Sequence, residues 1–419
     1  MRWPAAACAA ALLAGCSGTH AVYDEPGLGE VAPDWKPVDA STGQIVDSAG
    51  LKALAEAFPD SGSVRLRLLS SQLRGDDAAA AMQSLQWLAE RGYVFGEGGR
   101  TQIAGLLGEE ATQYLLPDAQ PVTASTVYAV VPPEAHLLES AVVSQSKGRV
   151  VASSVMGKSL WRMDQRGEWQ EFPVAEAENL SGLAFDEAAR SIWAASGVID
   201  GRDRQTGSGA VLFWDGKGDR PVVYPAPDGV QLSDMVRAED GTLYASDPLG
   251  GGVYVLTAGA QALQALVAPG VLRSPQGLAV SRDGTLLYVS DYRYGLAAVS
   301  RDTGKVMRVT AQVPILLDGI DGLWRHGNSL IAMQNGTSPM TVSRLVLSDD
   351  GLSIVAREVL EQAHPDWTEP LSGTISASED HGTALFYIGN GQWDVFNPDG
   401  SVKEGKEPAP TQIRRLPLD

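Results

Sequence analysis

Cysteine is nearly absent: the 419 residues contain two, Cys8 and Cys16. Both lie at the extreme N-terminus, so nothing downstream can form a disulfide, a thiolate nucleophile or a Cys-zinc site. Histidine is scarce as well. His20, His136, His326, His364 and His381 are scattered, and each reads as a solvated or core side chain. The chain has no Gly-x-Ser-x-Gly elbow and no His-Glu-x-x-His helix. Gly157-Lys158-Ser159 lacks the upstream glycine of a phosphate loop, with Ala152 in its place, and a tight turn explains it. No apolar run reaches the roughly 20 residues of a membrane span.

What is present begins with an export signal. Arg2 precedes an apolar run from Ala5 to Ala14, the length of a secretory h-region. Leu13-Ala14-Gly15-Cys16 then resembles the lipobox of bacterial lipoproteins, which implies cleavage after residue 15 and lipidation of Cys16. Ser17 in the next position resembles lipoproteins sent to the outer membrane. The expected location is the cell envelope, held by a lipid anchor alone and facing the periplasm. Cleavage would remove only Arg2 among the charged residues, leaving 31 basic against 51 acidic side chains, a balance of −20. That balance disfavours nucleic-acid phosphates and fits cationic partners or metal ions.

Residues 16–59 are rich in Gly, Pro, Asp and Ser and read as a tether. From Val64 the pattern becomes helical. Leu66, Leu69 and Leu73, then Ala80, Leu85 and Leu88, recur at helical spacing on either side of Arg74-Gly75-Asp76. Gly92 is a C-cap candidate. The pair resembles one tetratricopeptide-type hairpin within a helical segment at 60–117, too short to stack alone and expected to cap the domain that follows.

That domain, 118–419, is repetitive. Ser140, Gly182, Asp234, Gly277, Gly322 and Gly373 occupy equivalent places at intervals of 42, 52, 43, 45 and 51 residues. Each leads into a short strand, most reach a turn such as Lys147-Gly148, Asp240-Gly241 or Asp283-Gly284, and a second strand follows. Six β-meanders at this period predict a mainly β protein, a six-bladed β-propeller with a small N-terminal helical segment. Closure is expected through Thr126–Val131 beside blade six, with Thr411–Leu416 as the competing edge strand. Trp161, Trp193, Trp214, Trp324 and Trp393 are expected to pack between blades, and Trp367 falls in a loop that could overhang one mouth.

In a blade the first strand lines the channel and the second returns antiparallel, so first-strand starts and second-strand ends share one face. The starts are Glu139, Ser181, Ser233, Gln276, Asp321 and Ser372; the ends are Ser154, Ser196, Asp247, Asp291, Asn335 and Asn390. All twelve are polar. Strand ends commonly are, but four carboxylates at one mouth repel one another unless a cation or shared proton offsets them.

Ser274-Pro275-Gln276-Gly277-Leu278-Ala279, then Ser281-Arg282-Asp283-Gly284 and Leu287-Tyr288-Val289-Ser290-Asp291, resembles the signature of the regucalcin and gluconolactonase propellers. Glu139-Ser140 and Asp321-Gly322 fit the same pattern. The resemblance covers roughly residues 134–418. It implies a divalent cation, Ca²⁺, Mg²⁺ or Mn²⁺, on Glu139, Gln276 and Asp321, with Ser233 in a substrate-binding position. Gln276 and Ser233 each replace the family's asparagine. Asn335 and Asn390 are further substrate-binding candidates at the same mouth, and Asp234, Asp291 and Asp247 are candidate general bases. Two functions follow: a metal-dependent hydrolase of a lactone or related ester acting on a small-molecule substrate, or a non-catalytic envelope propeller that binds a protein or small ligand.

Overall fold

The computed structural model describes residues 34–145, 149–199, 209–215, 220–378 and 382–419. The expected export signal, Cys16, the first part of the expected tether and the Lys147-Gly148 turn lie outside these. Six antiparallel meanders are present, each of four strands except the fifth, which adds Thr310–Ala311 parallel to its outer strand. The first strands are Leu138–Val143, Asn179–Asp186, Met235–Arg237, Pro275–Val280, Ile320–His326 and Gly373–Ser378. Each touches the next and the sixth touches the first, so they ring one channel. The protein is a six-bladed β-propeller.

The strands are apolar on both faces because both are covered. In blade one, Ala141 and Val143 pack with Ala384, Phe386 and Ile388 of blade six. Val142, between them, packs with Leu183, Ala194 and Leu212 of blade two. The two-residue period thus sends alternate side chains to opposite neighbours, and each fully buried Val or Leu contributes about 1.5–3 kcal/mol. Trp161, Trp214, Trp193 and Trp324 join such inter-blade clusters.

Closure uses both candidate strands. Thr411–Pro417 is the third strand of blade six, and Thr126–Val131 pairs with it as the outermost. Blade six therefore takes three strands from the C-terminal end of the ring and one from before blade one.

The helices begin before the expected segment: α1 Ser48–Ala57 precedes it, and α2 Gly62–Arg74, α3 Ala78–Glu90 and α4 Glu97–Leu107 lie within it. Asp47, Ser61 and Asp77 cap the first three by accepting from the amides of Gly50, Val64 and Ala80. The α2–α3 hairpin is the one the leucine spacing predicts, and Gly92 follows α3 at φ +77°. Residues 34–59 are a correction to the tether. Trp35, Val38, Leu51, Leu54 and Phe58 are buried with Leu272, Leu278 and Val289 of the propeller, so this stretch is docked. The segment is also tied to the loop entering blade five: Asp318 accepts from Gly62 N (2.8 Å) and Ser63 N (2.7 Å) at the start of α2.

Candidate functional site

Glu139, Gln276 and Asp321 project into the channel because of a repeated irregularity. In blade one Leu138 pairs with Ser154 and Ser140 with Ser153, leaving Glu139 as the extra residue of a β-bulge. In blade five Ile320 pairs with Gln334 and Gly322 with Met333, leaving Asp321 extra in the same way. Blades two and four have a bulge at Ser181-Gly182 and at Gln276-Gly277. A bulge re-aims a side chain that strict alternation would direct elsewhere. The glycines explain the polar-Gly pairs: a Cβ on Gly277 would lie 2.6 Å from Leu323 N, and one on Gly182 would lie 2.7 Å from Asp234 Oδ1. Only glycine lets neighbouring first strands approach this closely.

Glu139, Ser233, Gln276, Asp321 and Asn335 line one cavity of about 100 Å³ at the channel mouth. That volume suits several waters, or an ion with part of a small ligand. The wall also includes Tyr292, Glu369 and Trp393, with Leu249 and Leu371 as apolar surface. These were not anticipated. Tyr292 and Leu249 come from the turns just beyond the second strands, and Glu369 from the long connection into blade six. Trp393 packs between blades one and six as expected and also reaches the site: its indole Nε1 donates to Glu139 Oε2 at 3.1 Å. Trp367 does not overhang the mouth. It is buried between blades five and six and donates to Tyr387 OH at 3.0 Å.

The other predicted residues have structural partners. Asp247 accepts from Leu249 N (3.1 Å) and Gly250 N (2.8 Å), fixing the turn after its strand. Asp291 accepts from Arg273 N (2.6 Å) and Arg293 N (3.1 Å). Both are buried and neither is in the cavity wall, so each serves as a backbone cap rather than as a base facing the mouth. Asn390 donates to Pro410 O (3.0 Å) and accepts from Gln412 N (2.7 Å), away from the wall. Asn335 is in the wall, but its amide is committed. It donates to Asp321 Oδ2 (2.7 Å) and Pro370 O (3.0 Å) and accepts from Tyr292 OH (2.8 Å), so it orients Asp321 rather than offering its oxygen to a ligand. Asp234 lies one residue beyond Ser233, half-buried behind the wall rather than in it, and accepts from Met235 N at 2.8 Å.

Burial shifts the acids upward. Burial raises Glu139 well above the usual carboxylate range, and Asp321 opposite it, then Glu369, push it further. Burial lifts Asp321 to about 6, partly offset by the Asn335 hydrogen bond. Asp234 rises to about 7 for the same reason. Tyr292 is pushed up by burial and then by Asp321 and Glu369, so it stays a donor.

These residues fit a hard divalent cation in their chemistry, since mutually repelling, half-buried carboxylates in oxygen-rich surroundings are relieved by one. Gln276 Nε2 faces Ser274 Oγ at 3.5 Å, leaving Oε1 as its ligand atom. Among the described residues no three Asp, Glu, His or Cys side chains gather closely enough to hold a metal unaided. The Gln276 amide and water would have to complete the set.

No family model matches the chain. No curated protein matches it either. Solved structures with similar folds include a gluconolactonase from Xanthomonas campestris, 17% identical over 73% of this chain and 99% of that one, TM-score 0.46. A calcium-binding regucalcin from Agrobacterium tumefaciens is 15% identical over 71% and 95%, TM-score 0.47. Virginiamycin B lyase from Staphylococcus aureus is 12% identical over 63% and 81%, TM-score 0.46. The fold rests on the chain's own six closed sheets, and the activities named belong to those proteins.

Proposed function

We propose that the acidic mouth is a hydrolytic site for a lactone or related ester, with a divalent cation held by Glu139, Gln276 and Asp321. The observation that carries this reading is the convergence of Glu139 and Asp321, each on a bulge, in one cavity where both carboxyls are pushed up. A divalent cation bound there supplies Lewis-acid polarisation of the acyl oxygen. Asp234, just behind Ser233 of the wall and near enough to Asp321 to feel its charge, is lifted to about 7, mainly by burial, and so has the proton affinity of a general base near neutrality. It takes a proton from the attacking water as the new C–O bond forms, and returns it to the ring oxygen as the acyl–oxygen bond breaks. Ser233 orients the substrate, Asn335 and Tyr292 hold Asp321 in place, and Leu249 and Leu371 exclude water from one side.

The test is titration of Ca²⁺, Mg²⁺, Mn²⁺ and Zn²⁺ into metal-free protein and Asp321→Asn, following thermal stability and hydrolysis of a lactone panel. A cation that binds only the folded state should stabilise wild type by about 2.7 kcal/mol at a hundredfold excess over its dissociation constant, with little effect on the variant. No stabilisation of wild type removes the cation site. Stabilisation without hydrolysis of any lactone favours the alternative, a non-catalytic propeller that binds a small ligand or an envelope protein.

The envelope location belongs to the same proposal. Among the described residues no helix is long and apolar enough to cross a membrane, and acyl chains on Cys16 would provide the anchor. Cys16→Ala should leave uncleaved precursor without attached lipid, measured by palmitate labelling and gel mobility. Normal processing and membrane retention of that variant would refute the anchor.

A further inference from the structure

The far end of the channel has the opposite character. Beyond the exits of the first strands of blades three to six lies a second cavity, of about 520 Å³. Its volume is in the range of small-molecule sites. Leu278, Val280, Leu323 and Ile375 give it apolar walls, while Arg237, Arg282 and Arg325 supply cations from three successive blades. Arg301 is a fourth arginine, against Glu239, Asp240 and Asp283 in the same lining, so in a chain of net charge −19 this end carries a slight excess of cations.

The neighbouring acids do not cancel it equally. Asp283 is held by its own hairpin turn, accepting from Ser281 Oγ (2.6 Å) and Thr285 N (3.1 Å). Asp240 pairs with Arg301 (2.6 Å), and Arg237 with Asp186 (2.9 Å). Glu239 is different. Arg325 of blade five reaches past blade four to meet it at 3.3 Å, and the glutamate side chain is 91% exposed. So exposed a pair is weak, and a better-placed carboxylate can displace Glu239 from Arg325. Arg282 is exposed at the same rim.

We propose that this basic mouth binds an amphipathic monocarboxylate, its carboxylate held by Arg282 and Arg325 and its apolar body against Leu278, Val280, Leu323 and Ile375. Arginine suits the head because its planar fork meets a carboxylate with two parallel hydrogen bonds. The site shares no residue with the acidic mouth, so it stands or falls independently of the hydrolytic reading.

Calorimetric titration of hexanoate into the full-length protein tests this, with 1-hexanol and hexyltrimethylammonium as probes of equal chain length. Hexanoate should bind, and both controls should bind at least about tenfold more weakly. The double variant Arg282→Gln/Arg325→Gln should lose a similar factor while melting like wild type, since Arg282 is exposed and Arg325, half-buried at the rim, pairs with an exposed glutamate. Glu239→Gln should tighten binding a few-fold by releasing Arg325. Absence of hexanoate binding to wild type overturns the proposal, as does equal binding of 1-hexanol, which would indicate an apolar cleft alone. Unchanged affinity in the double variant, or unchanged or weaker affinity in Glu239→Gln, overturns it too.

Discussion

Glu361→Ala should destabilise the propeller by about 3–5 kcal/mol, the usual cost of removing one partner from a buried charged network. Glu361 is fully buried at the end of the outer strand of blade five. Its Oε1 accepts from Ala124 N (3.1 Å) and Ser125 N (2.8 Å), and its Oε2 from Tyr387 OH (2.6 Å). Arg414 completes the network through Ser125 Oγ (2.9 Å) and His364 Nε2 (2.8 Å). Residues 124 and 125 immediately precede the strand that closes blade six, and Val122 is already bridged to Gln362. The carboxylate therefore fixes the segment that closes the ring at the point where it passes from blade five to blade six. Alanine would strand two amides and remove the acceptor of the Tyr387 phenol at once. Urea denaturation of the variant should show a lower midpoint, and the closing strand should become protease-sensitive before the rest. A loss below about 1 kcal/mol would show that pairing with Thr411–Pro417 alone secures closure.

The repeat was legible because every blade restates it: six polar starts at nearly equal intervals place Glu139, Gln276 and Asp321 at one mouth without any tertiary information. The bulges were not legible, since a one-residue pairing offset leaves no mark in hydropathy. Alignment placed Asp321 among the strand starts and Asp247 and Asp291 among the strand ends, but it could not tell that the latter two turn back to cap backbone amides, because all lie at the same face. Asp247-Pro248-Leu249-Gly250 did carry a local signal, an aspartate that hydrogen-bonds to amides two and three residues on in a Pro-Gly turn. Glu369 was hidden because it comes from the irregular connection into blade six, which has no period to align. Helix α1 was missed for a different reason: ten residues in a Gly- and Pro-rich context give too few turns for a pattern, and its stability comes from docking against blade four.

Without bound cation, the protein should lose stability as pH rises from about 5 to 8, the reverse of the usual carboxylate behaviour. Asp60 and Asp321 are each lifted from 3.8 to about 6, Asp234 to about 7, and Glu139 lies well above its usual value, in every case chiefly through burial. A carboxyl whose folded pKa exceeds its unfolded one is more protonated in the folded state between the two values. Its contribution is therefore fully present below about pH 4 and is lost as pH climbs through 6 and 7. For Asp321 alone a shift of that size corresponds to roughly 3 kcal/mol. Asp60 sits at the interface between the helical segment and blade four, 3.8 Å from Arg308, so it should contribute whether or not the mouth is filled. The mouth carboxyls should behave differently once calcium is added. A cation takes the place of the protons, so calcium stabilisation should be small at pH 5 and grow toward pH 8, with protons released on binding. Urea denaturation at pH 5, 6, 7 and 8, with chelator and with saturating Ca²⁺, separates the contributions. Stability that rises with pH in the chelated protein would contradict the shifts assigned to all four groups. A calcium effect independent of pH would place its binding away from Glu139 and Asp321.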